Sequence, residues 1–435
     1  MTRASLIAIA VGACSHASAK MPDDAPPLDT TDAPPPVDAP RIDAVLVDAP
    51  HIPSGIASTQ LCKLLSNRWA GDPTANDVQH RANILGADLG IPVAYNSNLY
   101  LLFGDTIGYS VIWPSSESHP DAVGVAGDTA AAVASQPQLL CNDLGILHLS
   151  STIATDPSVH ADFAGAFMSP PSGHSLGEYI HNPAGSGSAS TFTNLPGDFE
   201  VPSGAFGYGD SIYVFYTTVV SHAAPQMTAS YLARWQNPSP TGSPGYQILY
   251  GVDALTSGAL NGHFINVSTE VSGNYVYMFG TGPFRASPIY LARKRLDQLT
   301  TPGGFEDLGT VAPTAAYGET SVRYFAQINT WMLLAEELTS STNRIVAYTA
   351  TSPTGPWTGP TTILDMADPQ FRSQYCCTTD DNCVNQQMFN CDQYGFYGSY
   401  LLPSVTTNGN AFTVSYTLSS FAPYNVALFQ TTFAP

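Results

Sequence analysis

Charge is what this chain of 435 residues has least of. Only 11% of its residues are charged, with 14 Lys and Arg against 34 Asp and Glu, a formal charge of −20. So little cationic surface argues against nucleic acid as a ligand, because phosphate binding works by releasing counterions to Lys and Arg. The Lys and Glu that a helical bundle would use are also scarce, and no convincing amphipathic helix appears from residue 86 onward. No P-loop and no HExxH is present, which removes support for nucleotide and zincin chemistry. What is abundant is Gly (36), Pro (35) and Tyr (22), with aromatics at 11%. That is too aromatic for a disordered acidic chain, and the blend of Gly, Pro, Ser, Thr and Tyr reads as all-β.

The first sixty residues are of a different kind. Arg3 and the apolar run from Leu6 to Val11 make a signal-type start, too short to span a bilayer as a mature helix. Val11-Gly12-Ala13-Cys14 resembles a bacterial lipobox, with Cys14 as the lipidated residue. The alternative is ordinary signal cleavage after the Ala-Ser-Ala of residues 17 to 19. Residues 15–60 repeat Asp-Ala-Pro, and Pro together with self-repelling Asp makes an extended, solvated tether. That division gives a signal peptide over 1–14, a tether over 15–60 and a folded domain over 61–435, which is acidic in its own right.

Six cysteines follow Cys14: Cys62, Cys141, Cys376, Cys377, Cys383 and Cys391. An even number in an exported chain points to disulfides. Four sit together, so local bridges are expected there, with Cys62 and Cys141 as the remaining pair. Adjacent Cys376 and Cys377 need different partners unless they form a vicinal bridge. A zinc reading of the four thiolates lacks paired CxxC spacing, and no metal or other cofactor is expected. Calcium at Asp380 and Asp381 is the weaker alternative, since no EF-hand-like alternation accompanies them.

Through the folded part, strand-like runs alternate with Gly, Pro and Asn turns. The clearest runs are 92–105, 211–220, 274–282, 330–338 and 410–420. Each follows another strand-like segment that ends in YNSN, GYGD, VSGN, AQIN or TNGN, so one hairpin recurs five times. Several units add a third strand, at 230–235, 288–296, 344–352 and 425–433. The pattern predicts a five-bladed β-propeller whose inner strands start near Asp88, Glu200, Asn266, Glu319 and Tyr397. An insertion is expected over the Ser-, Gly- and Pro-rich stretch 109–196.

Residues at matching positions of the inner strands converge on one face of such a fold. Asp88, Glu200 and Glu319 each precede an apolar strand, and Asp105 ends the second strand of the first unit. Two or three carboxylates in an uncharged, Tyr-rich pocket are what glycoside cleavage requires: one protonated acid and one base or nucleophile. For Asp105 the competing reading is a structural Gly-Asp-Thr turn, and for Glu200 a solvated strand end. Asp88 and Glu319 are favoured as functional, because burying an idle carboxylate is costly. Asn266, Arg285 and His263 are candidate sugar contacts. Trp113, Tyr397 and Tyr400 are candidate sugar platforms.

The motifs GADLGIPV (86–93), LFGDT (102–106), EVPSG (200–204) and LAR (291–293) fall in the order of a known family. YGETSV (317–322), PTGPW (353–357), YG (394–395) and PYNV (423–426) continue it. The chain thus resembles glycoside hydrolase family 183, formerly a domain of unknown function (4185), whose characterised members are endo-D-arabinanases. They cut D-arabinofuranosyl chains of mycobacterial arabinogalactan and lipoarabinomannan. The resemblance implies a five-bladed propeller with catalytic acids at Asp88 and Asp105 and with Glu319 close by. The chain departs from the family's pattern in lacking Arg-Ser-Asn after GDT and in having Leu402 rather than His before Pro403.

The expectation is therefore a secreted glycosidase acting on a polysaccharide partner, most specifically D-arabinan. It would be monomeric and lipid-anchored to the membrane, on the outer cell surface. The rivals are a propeller that binds glycans without cleaving them, and a hydrolase of another furanoside such as L-arabinan.

Overall fold

The alternation of short apolar runs with turn residues folds as antiparallel sheet throughout. The computed structural model describes residues 55–66, 84–105, 107–108, 121–129, 133, 135–141, 144–146, 195–196, 199–220, 226–240, 245–338, 343–377, 383, 386–420 and 424–434. In chain order, β1 (Gly55–Ser66) is followed by β2 (Ile84–Gly86), β3 (Leu89–Tyr95), β4 (Asn98–Asp105) and β5 (Ile107–Gly108). Next come β6 (Asp121–Thr129) and β7 (Leu144–Ile146), which join β3 and β4 in a four-stranded sheet while β2 pairs with β5. A second four-stranded sheet contains β8 (Phe199–Tyr208), β9 (Ser211–Val220), β10 (Gln226–Gln236) and β11 (Tyr246–Ala254).

The third sheet is longer. It runs through β12 (Asn266–Ser272), β13 (Tyr275–Thr281), β14 (Ser287–Arg295) and β15 (Phe305–Phe325), then β16 (Thr330–Leu338), β17 (Asn343–Ala350) and β18 (Thr358–Asp365). It is continuous because β15 pairs with β14 through its first part and with β16 through its second, with a register break between Tyr317 and Thr320. A short helix, α1 (Pro369–Tyr375), starts where the Asp368 side chain accepts a hydrogen bond from the Gln370 backbone N–H, an N-cap. The last sheet comprises β19 (Phe396–Asn408), β20 (Ala411–Ser420) and β21 (Asn425–Ala434), and β1 adds to its outer edge beside β21.

All five expected hairpins are present: β3–β4, β8–β9, β12–β13, β15–β16 and β19–β20. In the first, Asn96 and Ser97 both have positive φ (47° and 66°), the backbone of a two-residue turn that matches strand twist. Their first strands touch one another in cyclic order. β3 packs against β8, β8 against β12, β12 against β15, β15 against β19, and β19 against β3. Between neighbouring sheets the apolar faces interlock. Phe215, Leu232, Phe264, Val276 and Met278 form one such layer, and Met332, Ile345, Phe396, Tyr416 and Phe429 belong to another. Each such side chain contributes about 1.5–3 kcal/mol by leaving water.

Two sequence expectations need correction. The third and fourth strands of the first sheet, β6 and β7, lie inside the stretch 109–196 that reads as an insertion. Its Gly, Ser and Pro content hides strands whose partners are distant. The stretch read as tether, 15–60, also ends too late, since β1 begins at Gly55 and pairs with β21 from there. The cysteines form three disulfides: Cys62–Cys141, Cys376–Cys391 and Cys377–Cys383. The first ties β1, at the edge of the last sheet, to the turn that precedes β7. Adjacent Cys376 and Cys377 take separate partners, and no thiolate of the four remains to bind a metal.

Candidate active site

The starts of the inner strands carry the acids, and their backbones are irregular there. Leu89, directly after Asp88, has φ 65° and Gly90 has φ 82°, and the pairing of β3 with β4 slips between Leu89 and Ile91. Similar slips occur at Tyr317/Thr320, around Glu319, and at Tyr397/Tyr400. Bulges of this kind re-aim side chains, and positive φ at a branched residue such as Leu89 is a strained state held by its surroundings. Gly104 lets the Asp88 carboxylate lie close against β4, since a Cβ there would meet Asp88 Oδ1 at 2.5 Å. Gly318 does the same for a second acid, because its Cβ would meet Glu336 Oε2 at 2.0 Å.

Five groups form one connected cluster. Asp88 is 6% exposed and accepts a 2.8 Å hydrogen bond from the Tyr397 hydroxyl. The Tyr397 ring lies beneath Arg285, whose guanidinium carbon is 5.1 Å from the ring centre and 4.8 Å from that of Phe284. Arg285 sits in the turn between β13 and β14 with φ 52°, and the Ala286 N–H closes that turn on the Pro283 carbonyl at 3.1 Å. Its Nη2 is 3.6 Å from Glu319 Oε2, and its Nε is 3.4 Å from Glu336 Oε2. Asn343 donates to Glu336 Oε1 at 2.9 Å and to the Phe396 carbonyl at 2.9 Å, tying β16 to β19.

The electrostatics follow from two acids around one guanidinium, with a third, Asp88, joined to them through Tyr397. Burial pushes the Glu336 carboxyl well above the usual range, Arg285 pulls it back, and the neighbouring Glu319 raises it further. The Tyr400 hydroxyl is raised by burial first and then by Glu319, Asp88 and Glu336, which places it against the same acids. The cluster therefore places a carboxyl biased toward its protonated form, Glu336, beside others held by Arg285 and Tyr397. That is the division of labour acid/base chemistry needs.

Other expected residues fall as follows. Glu200 and Asn266 are buried near the starts of β8 and β12, and Asn266 Nδ2 reaches Met227 Sδ at 3.8 Å. The backbone of Asp105 ends β4 opposite Asp121, while its side chain lies outside the described residues. Trp113 and Cys14 lie outside them too, as do Asp380 and Asp381. His263 stacks on Tyr290, with ring centres 3.7 Å apart. Tyr397 and Tyr400 are buried rather than open, so the expectation of sugar platforms there is corrected: Tyr397 holds Asp88 and carries Arg285. A G-x-S-x-G spacing does occur, at Gly173 to Gly177, outside the described residues; in sequence its flanks, SPPS and EYIHNPAGSG, do not read as the apolar strand and helix that bracket a nucleophile elbow.

Sequence reading missed Glu336 and Asn343. Glu336 stands in the run TWMLLAEEL, where Trp331 to Ala335 are apolar and buried on both faces of the strand before Glu336 and Glu337. A carboxyl in a strand buried on both sides was the available signal. Further along the same strands, a narrow space no larger than a water molecule is lined by one or more residues from each inner strand, among them Pro92, Ser203, Ser268, Ser321, Arg323 and Tyr400. Among the described residues no group of three or more His, Cys, Asp or Glu is arranged to hold a metal ion.

Residues 74–430 match the family described as domain of unknown function (DUF4185), and the chain belongs to that family. No curated protein matches it. Among solved structures, the catalytic domain of a GH62 α-L-arabinofuranosidase from Coprinopsis cinerea is similar at 13% identity and TM-score 0.46, over 88% of this chain and 98% of that one. The α-L-arabinofuranosidase of Podospora anserina in complex with cellotriose is 12% identical, with TM-score 0.41, over 87% of this chain and 96% of that one. Native arabinanase from Bacillus subtilis is 14% identical, with TM-score 0.41, over 80% and 96%. These scores are too low to carry residues or reactions across.

Proposed function

We propose that the protein is a glycoside hydrolase with the acid cluster at the mouth of a five-bladed propeller. The observation that carries the reading is three buried carboxyls in one cluster: Glu319 and Glu336 share the Arg285 guanidinium, and Asp88 joins them through the Tyr397 hydroxyl, whose ring lies beneath that guanidinium. The five hairpins and the cyclic contacts of their first strands support the propeller, with β15 divided at its register break into the last strand of one blade and the first of the next. Asp88 and Glu319 act as the carboxyl pair, and Asp105, one residue beyond Gly104, is assigned to the same site. Hydrolysis adds water across the glycosidic bond: the leaving oxygen takes a proton from one acid, and a second carboxylate assists attack at the anomeric carbon. Glu200 and Asn266 are assigned to the substrate rim.

The substrate we infer is D-arabinan, cleaved internally. Membership of the DUF4185 family supports it, because the motifs that resemble endo-D-arabinanases lie within the same 74–430 span. A neutral furanose polymer also suits a chain of net charge −20, which would repel a strongly anionic one. Export and anchorage through Cys14 belong to the same proposal. Incubation with mycobacterial arabinogalactan, with L-arabinan as the control and chromatography of the products, tests the activity. Oligosaccharides from the first alone are expected. Release from L-arabinan alone would move the substrate class, and binding without release from either would leave a lectin-like propeller.

A further inference from the structure

Glu336 has no place in a simple two-carboxylate scheme, yet it is the most deeply placed acid of the cluster, at 0% exposure. Its Oε2 and that of Glu319 are both buried, and neither receives a hydrogen bond from another residue. Arg285 lies at 3.4 and 3.6 Å from them, ion-pair distances that are longer than a charge-assisted hydrogen bond. The two carboxyls are within hydrogen-bond reach of each other. With both ionised, two negative charges would face one positive charge, and Asp88 would add a third through Tyr397. One proton held between Glu319 and Glu336 satisfies both oxygens and balances Arg285.

Resting on the glycosidase reading of this site, we propose that Glu336 is a positioning residue that shares one proton with Glu319 over Arg285, so that Glu319 meets the substrate as the acid. Glu336 itself touches no solvent and acts through Glu319. The groups facing it are Arg285 from the β13–β14 turn, Glu319 on β15, Asn343 on β17, and Tyr400 on β19, with Asp88 beyond Tyr400. Its neighbour Glu337 pairs instead with Arg344. Burial and Glu319 both favour the protonated form of Glu336, against the pull of Arg285.

The test is Glu336→Gln, which keeps the size of the side chain and removes the shared proton. With Glu336 neutral, the second negative charge that favours a proton on the pair is gone, and Arg285 faces Glu319 alone. The basic limb of kcat/KM on D-arabinan should move down by about one pH unit or more, with KM little changed. A uniform fall in rate with the limb unmoved would mean a packing role and overturn the proposal. The second readout needs no activity: thermal stability against pH. A carboxyl whose folded value is raised contributes stability that is fully present below the ordinary carboxyl range and is lost as pH rises through the folded value. Wild type should show that decline, and both Glu336→Gln and Glu319→Gln should flatten it. If wild type cleaves no glycan, the glycosidase reading fails while this arm still decides whether the proton is shared. If all three proteins show the same profile, proton sharing fails whatever the activity. Should Glu336→Gln not fold, Glu319→Gln carries the stability arm alone.

Discussion

Two charged clusters lie on the same inner strands, four residues apart in sequence, and their charge is met in opposite ways. Asp88 and Glu319 belong to the first; Pro92 and Arg323, four positions further along β3 and β15, belong to the second, about 13 Å away along an extended strand. In the second, Arg323 pairs with Glu270 at 3.1 Å and donates to the carbonyls of Leu401, at 3.2 Å, and Pro92. One cation meets one anion, and the spare N–H groups are used on β3 and β19. In the first, one cation meets two acids at longer range, with Asp88 a third acid held by Tyr397, and the Oε2 atoms of Glu319 and Glu336 are buried without a hydrogen-bond donor. Burial of charge is common to both. Imbalance separates them: the balanced cluster clamps strands together, and the unbalanced one is poised to move protons.

The sharpest way to break this contrast is to neutralise one acid of the first cluster. Glu319→Gln or Asp88→Asn should each lower oligosaccharide release by about a hundredfold to ten-thousandfold, the range of a general acid or base. Melting temperatures should stay near wild type. A large stability loss with modest loss of rate would make the first cluster another clamp.

The second cluster should respond the other way. Arg323→Met leaves Glu270 without its cation and three strands without their common donor. Urea unfolding should show a loss of about 3 kcal/mol. Activity per folded molecule should remain within a few-fold. If Arg323→Met instead abolishes turnover while stability holds, the active region extends down the channel, and the division drawn between the clusters is misplaced.

How much of this was legible beforehand depends on how local each signal is. Hairpin turns such as Asn96-Ser97 declare themselves through residues that tolerate positive φ, so all five hairpins and the starts at Asp88, Glu200, Asn266, Glu319 and Tyr397 could be read directly. Outer strands β6 and β7 could not, because their short runs acquire meaning only beside β4. The site divided along the same line. Asp88 stands just before β3 and Glu319 at the register break within β15, and an acid before an apolar run is conspicuous in the sequence. Glu336 enters from the second strand of its hairpin and reaches Arg285 only because Gly318 leaves room for it. No periodicity in the sequence reports a gap left by a glycine on a neighbouring strand. Tyr397 was noticed for its ring, while its hydroxyl proved to matter more, since its partner lies 309 positions away.

The smallest expected effect separates those two parts of Tyr397. Tyr397→Phe removes the donor to Asp88 but leaves a ring under Arg285. A hydrogen bond to a charged group contributes about 1.5–3 kcal/mol, so kcat should fall roughly tenfold to a hundredfold with KM little changed. Tyr397→Leu removes the ring as well, and with it a cation–π contact of about 1 kcal/mol that holds the guanidinium between Glu319 and Glu336. The further loss from Phe to Leu should be about fivefold. Equal rates for the two variants would mean that Arg285 is held by its acids alone, and that the ring contributes to the first cluster only through its hydroxyl.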